Sequence, residues 1–208
     1  MQTVSLLPIM LNATSVRALV VGGGAVGLRK AKRLHAAGAA VTVVAPEVAD
    51  SLPAGVTVIR QTFHVEHLNR INLCLAATNS PETNDAVAEA CATSGVWCLR
   101  SDDADAGDGF VPASVRVGTI TLALSAGSPA VTKQALAIAA EAVEPIAAFA
   151  DDVAKLREKV LGCDLSPDAR RALLRDAGSP AAFAAHARGV NVWRTYLLTH
   201  HPAAASLA

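Results

Sequence analysis

The sequence predicts an α/β fold, in which a parallel sheet domain is followed by a small β-containing element and a helical C-terminal region. Three observations carry that expectation. Strand-like and helix-like stretches alternate through the first half of the chain, which implies right-handed crossovers between parallel strands. The first of those strands runs straight into Gly22-Gly23-Gly24 and a helix containing Gly27. After Ser101 the alternation stops, and from Pro129 onward the pattern is helical.

The elements follow in order. An apolar Leu7-Pro8-Ile9-Met10-Leu11 precedes the polar turn Asn12 to Ser15, and Val16 to Val21 reads as the first strand. A helix over Ala25 to Ala37 is stopped by Gly38, and Val41 to Val44 is a second strand broken by Pro46. Val56 to Ile59 and Ile71 to Ala77 are the third and fourth strands. Pro81 opens a helix near the first helical position, where its missing N–H costs nothing; Gly95 ends the helix, and Val96 to Ser101 is the fifth strand. Asp102 to Gly109 is acidic and glycine-broken, hence a loop at the carboxyl edge of the sheet. Phe110 to Val117 and Thr119 to Leu124 alternate in polarity around Gly118 and read as a small antiparallel unit. Ala130 to Glu144 and Ile146 to Leu161 read as helical pieces with a break or kink at Pro145. A cap-like break at Cys163 to Asp168 and shorter helices follow, and Pro202 to Ala208 reads as a disordered tail.

Composition removes several classes of function. The 208 residues are 52% hydrophobic, ample for a buried core, and 18 basic against 18 acidic residues leave no net charge. A basic excess for nucleic acid or an anionic membrane is therefore missing. No apolar run is long enough to span a bilayer, and Met1-Gln2-Thr3-Val4 lacks a signal-peptide pattern, so a cytoplasmic location is expected. Cys74, Cys91, Cys98 and Cys163 have no zinc-ligand or redox-pair spacing and read as free thiols. The histidines show no ligand spacing either, and no protein-bound metal is expected.

The glycine turn carries the first chemistry. Gly22 permits the tight turn, Gly24 admits backbone to a pyrophosphate, and Gly27 allows close helix–strand packing. N–H groups at the helix start, around Gly23, Ala25 and Val26, then face the phosphates with the positive end of the helix dipole. This is a Rossmann-like dinucleotide turn. An acid that would hold ribose hydroxyls is missing at Val44-Ala45, where Pro46-Glu47 follow. No basic side chain stands there for a 2′-phosphate, which favours NAD over NADP.

Together these motifs resemble the precorrin-2 dehydrogenase / sirohydrochlorin ferrochelatase family, the module that finishes siroheme synthesis. The resemblance rests on Leu7 to Leu11, Val20 to Gly24, Leu28-Arg29-Lys30, Val41 to Glu47, Ala76-Ala77-Thr78, Asp102 ten residues before Pro112, and Ser128-Pro129 with Lys133. It covers about the first three-quarters of the chain. It implies an NAD-binding Rossmann-like domain over 1–109, a dimerisation region over 110–148 and a helical C-terminal region over 149–208. It also implies a homodimer that oxidises precorrin-2 to sirohydrochlorin with NAD and, in bifunctional members, inserts ferrous iron to give siroheme. Shared Ala-Pro-Glu after the second strand makes the backbone around Pro46 and Glu47 the expected ribose contact, and Thr78 a cofactor contact.

Asp102 is the expected catalytic residue. It stands at the carboxyl end of a central strand, where partial burial beside a cofactor would raise its pKa and make it a general base. Ser128 is expected to cap the helix at Pro129 and to lie near the tetrapyrrole. Arg116 and Lys133, with Arg100, are candidate contacts for the substrate carboxylates. Three departures from the family pattern, at Leu99, at Gly109 and in the shortened approach Ser125 to Ser128, border the tetrapyrrole pocket rather than the NAD site. They make a dehydrogenase without chelatase activity the first alternative. A non-catalytic NAD(H)-sensing module is the second.

Overall fold

A computed structural model describes residues 6–103 and 105–207. Met1 to Val4, where a signal-peptide pattern is not expected, Ala104 of the acidic loop and Ala208 of the tail lie outside the described residues. The chain forms two compact units, the first ending at Val111 and the second beginning at Pro112.

In the first unit five strands, β1 (Arg17–Val21), β2 (Ala40–Val44), β3 (Thr57–Ile59), β4 (Leu73–Ala76) and β5 (Trp97–Arg100), pair in parallel in the order β3-β2-β1-β4-β5. The chain leaves β1 toward one side of the sheet and returns to β4 on the other. Ligand crevices form where such an order reverses, outside the carboxyl ends of the strands. Helices α1 (Ala25–Ala36) and α2 (Pro81–Ser94) cover the two faces. Strand residues alternate between them, as the pleat requires. Ala18, Val20, Val41, Val43 and Leu75 pack with Leu28 and Ala31 of α1. Leu19, Val21, Val44, Cys74, Ala76 and Cys98 pack with Val87 and Cys91 of α2. Both faces are buried, so the strands read as continuous apolar runs. Three of the cysteines are buried free thiols of this second layer, and Cys163 is a half-buried free thiol. No group of residues fit to hold a metal occurs among the described residues.

The second unit opens with an antiparallel hairpin, β6 (Ala113–Val117) and β7 (Ile120–Leu124). Its turn needs Gly118, whose φ is +57°, and the Asp151 carboxylate accepts the Thr119 N–H at 2.8 Å. Val115, Val117, Ile120 and Leu122 form the half-buried face, while Arg116 and Thr121 stand opposite each other on the exposed one. Helix α3 (Pro129–Leu161) is followed by α4 (Pro167–Ala177), α5 (Pro180–His186) and α6 (Val190–His200). Phe149, Leu173, Ala182, Trp193 and Leu197 form their common core.

Two expectations are corrected here. α3 runs unbroken through Pro145, so the two helical pieces are one helix with a proline inside. Pro145 removes one backbone hydrogen bond, and the packed turns on either side hold the helix together across the gap. The tail is not disordered as far as it is described: Pro202–Leu207 is a 3-10 helix, and Ala204 is buried in the helical core. The expected boundary between a dimerisation region and a helical region, at 148–149, falls within α3.

Candidate active site

The carboxyl edge of the sheet brings four segments side by side: Pro46-Glu47 after β2, the glycine turn after β1, Thr78 after β4 and Asp102 after β5. Each glycine of the turn has its own physical reason. Gly22 has φ +123°, and a Cβ there would sit 2.3 Å from the Ala77 carbonyl oxygen. A Cβ on Gly23 would meet the Glu47 carbonyl at 1.9 Å, so the Pro46-Glu47 segment is pressed against the turn. A Cβ on Gly27 would lie 2.3 Å from the Gly22 oxygen, which is the close helix–strand approach expected from the motif.

Gly24 differs. It is the N-cap of α1, it is exposed, and nothing lies within 4 Å of where its Cβ would be. No side chain caps this helix, and its first turn carries no acid. Gly24, Ala25 and Val26 are all exposed. The arrangement is an open cradle of backbone N–H groups with a favourable dipole, which fits a pyrophosphate. Pro46 and Glu47 are exposed beside it.

Thr78 is committed to structure. Its N–H and hydroxyl both donate to Asn84 Oδ1, at 3.1 and 2.8 Å, and its carbonyl accepts from Asn84 Nδ2 at 3.2 Å. Its hydroxyl also reaches the Ser80 carbonyl, and Ser80 caps α2 through the Thr83 N–H at 3.1 Å. Asn84 is fully buried, on the same face of α2 as Val87 and Cys91. Sequence reasoning missed Asn84. The signal for it is a polar residue at a core position of an otherwise apolar helix face.

Asp102 stands in an environment different from the one expected. Arg100 holds it bidentately, Nε to Oδ1 at 3.2 Å and Nη2 to Oδ2 at 2.8 Å, and the other arm of the guanidinium pairs with Asp85. These bonds hold the Asp102 carboxyl well below the usual carboxylate range; a hydrogen bond from Asn84 adds to the effect, and desolvation opposes it without prevailing. Asp102 is therefore an ionised, oriented anion rather than a base with raised pKa. Arg100, expected among the contacts to substrate carboxylates, is already engaged, with its side chain only 8% exposed.

The other aspartates of the loop have local tasks. Asp103 accepts the N–H groups of Asp105 and Ala106, and Asp108 accepts the Cys98 N–H at 2.7 Å along the edge of β5.

The remaining candidates lie in the second unit. Arg116 is exposed on β6, its Nε donating to the Gly118 carbonyl at 3.2 Å, and Lys133 is exposed near the start of α3. Ser128 is the N-cap residue of α3, but its side chain makes no capping hydrogen bond, contrary to expectation. The buried Thr132 hydroxyl donates to the Ser128 carbonyl at 2.9 Å and accepts the Ala126 N–H at 3.0 Å, and so organises the turn instead.

An NAD(P)-binding family model matches residues 9–113, half of the chain's 208. The chain belongs to that family. The match covers the glycine cradle, Glu47, Thr78 and Asp102. Curated relatives agree with the resemblance read from the motifs. A siroheme synthase of Tolumonas auensis is 36% identical over 60% of this chain and 27% of its own length. One of Nitrosomonas europaea is 31% identical over 74% of this chain and 34% of its own, and siroheme synthase 2 of Pectobacterium atrosepticum 30% over 77% and 37%. The chain thus spans about a third of the length of these relatives. In fold it is similar to the solved structure of SirC, precorrin-2 dehydrogenase, with TM-score 0.71 and 22% identity over 93% of this chain and 98% of that one. Among the described residues no helix is long and apolar enough to cross a membrane.

Proposed function

We propose that this chain is an NAD-dependent precorrin-2 dehydrogenase that forms sirohydrochlorin, acting in the cytoplasm as a homodimer. The observation that carries the reading is the carboxyl edge of the sheet, where an open glycine cradle after β1 and a fixed carboxylate after β5 stand on the edge at which such folds bind ligands. The backbone N–H groups of Ala25 and Val26, beside Gly22, Gly23 and Gly24, hold the pyrophosphate, and the segment at Pro46 and Glu47 holds the ribose. Thr78, after β4, is a further cofactor contact on the other side of the cradle from Pro46 and Glu47. The lack of a basic side chain from Val44 to Glu47 favours NAD over NADP. When bound, the nicotinamide supplies a hydride acceptor.

Asp102 acts electrostatically. As the substrate gives up hydride, positive charge develops on its pyrroles; an anion fixed in advance opposes that charge without having to reorganise. The N–H proton leaves to water. Precorrin-2 carries several carboxylates, and we assign Arg116, Lys133 and Ser128 to binding them on chemistry alone, since two are exposed cations and the third is a hydroxyl that does not serve as a helix cap. Residues 110–148 are the proposed dimerisation region.

Iron insertion is a second reading. It asks a carboxylate to take pyrrole protons as ferrous iron, here a substrate, enters the macrocycle. Arg100 weakens Asp102 as a proton acceptor, so the dehydrogenase alone is favoured. Purified protein given sirohydrochlorin and ferrous iron should form siroheme no faster than the uncatalysed reaction. Asp102→Ala should keep NAD binding and lose most precorrin-2 oxidation, by roughly tenfold or more, as expected for loss of a preorganised charge. Full activity in that variant would remove Asp102 from the mechanism.

A further inference from the structure

We propose that Arg100 is a positioning residue for the reaction: anchored from the helix side by Asp85, it locks the Asp102 carboxylate into one orientation as a standing anion at the crevice. The inference rests on the dehydrogenase reading for its purpose, and on the geometry for its substance.

Arg100 ends β5, two residues before Asp102. Its guanidinium uses one edge for both oxygens of Asp102 and a remaining nitrogen for Asp85, in the first turns of α2. A planar fork paired in this way fixes the plane of its partner, which a lysine in the same place would not do. The pairing is sheltered: the Arg100 side chain is 8% exposed, while the Asp102 side chain keeps 29% of its surface open. Arg100 is therefore inside and Asp102 is the part presented to a ligand. Asp85 is 67% exposed and has no burial of its own to explain its contact, which leaves steadying the guanidinium as its evident effect.

Among the described residues the groups that act on Asp102 come from β5, α2 and its own loop. From β5 comes Arg100; from α2 come the neutral Asn84, which hydrogen-bonds Asp102, and, through the guanidinium, Asp85; Asp103 follows in the loop. Without Arg100 the Asp85 and Asp102 carboxylates lose the guanidinium they share. Loss of a cation from between two carboxylates raises their affinity for a proton. The guanidinium is thus the largest single influence holding the Asp102 carboxyl below the ordinary carboxylate range.

The test is carboxyl-carbon NMR of Asp102, assigned by its absence in Asp102→Asn, in the full-length protein across acidic pH. Wild type should show an Asp102 resonance that stays ionised through about pH 4, where ordinary aspartates are half protonated, and titrates only well below it. Arg100→Met should titrate at or above that value. Arg100→Met combined with Asp85→Asn should titrate lower than Arg100→Met alone, because one repelling charge is gone. Precorrin-2 oxidation by Arg100→Met should fall at least tenfold in kcat with NAD affinity unchanged, and should acquire an acidic limb that wild type lacks; Arg100→Lys should recover part of it. An Asp102 titration in Arg100→Met identical to wild type would overturn the proposal. So would an Arg100→Met enzyme with wild-type kcat and pH profile. If wild type oxidises no precorrin-2 while the titrations separate as expected, the dehydrogenase reading fails and the clamp on Asp102 stands.

Discussion

At the scale of single residues, the glycines and the aspartate teach opposite lessons. The roles of Gly22 and Gly27 follow from sequence because only the absence of a side chain lets backbone pass so close, and the structure shows those approaches directly. Gly24 separates binding from folding. Gly24→Ala should leave stability within about 1 kcal/mol, since its Cβ meets nothing and only the cap preference changes. It should nonetheless weaken NAD binding, because the new methyl occupies the open cradle. Gly22→Ala should instead cost about 1–3 kcal/mol through left-handed strain and collision with Ala77. Urea unfolding beside NAD titration by calorimetry distinguishes the two variants; equal stability losses would contradict the distinction. Asp102 was legible in place but not in protonation. Its position follows from strand topology, whereas its charge state depends on Arg100 and Asn84, whose side-chain directions no local pattern reveals.

Elements were legible wherever a local signal fixes their ends. Four Ser-Pro pairs open four helices, because proline suits the first helical position and serine the cap before it. Ser80, Ser166 and Ser179 make side-chain cap bonds to the Thr83, Ala169 and Ala182 N–H groups. Ser128 does not, since Thr132 already holds the backbone of that turn. Thr132→Val should therefore destabilise the second unit by about 1–3 kcal/mol, leaving the Ala126 N–H without its buried partner, whereas Ser128→Ala should cost less; urea denaturation of both variants checks the order. The break, one of the two expectations at Pro145, has a similar origin. Proline disfavours a helix interior locally, and the tertiary packing that overrides it is invisible in the window around it. Pro145 is exposed, so Pro145→Ala restores a backbone bond at no packing cost and should stabilise the protein by about 1–3 kcal/mol in the same assay.

For the molecule as a whole, the parallel sheet was readable because its inner strands are buried on both faces and are largely apolar. The helical unit was readable only as helices. Its core is built from thin alanines around Phe149 and Trp193, and its order rests on long-range pairs such as Asp152 with His186 and Asp176 with His201 and Tyr196. Hydrogen bonding to His186 lowers the Asp152 pKa. Burial works to raise Asp176, and the bonds from Tyr196 and His201 outweigh it, so Asp176 is lowered as well. A carboxyl lowered in the folded state binds protons more readily when unfolded. Its stabilisation is complete above the ordinary carboxylate pKa of about 4 and is lost as pH falls toward the lowered folded value. Melting temperature should accordingly drop on acidification below that range. Asp152→Asn with Asp176→Asn should melt lower at neutral pH and show a flatter acid dependence; an unchanged slope would exclude these two groups as its source.

The account rests most heavily on the glycine cradle and Asp102 serving one oxidation. The direct measurement is the yield of NADH and of sirohydrochlorin, each followed by absorbance, when the purified chain is given precorrin-2 and NAD. The account predicts that the two rise together in equal amounts. Sirohydrochlorin without NADH, or neither product from protein that binds NAD, would contradict it.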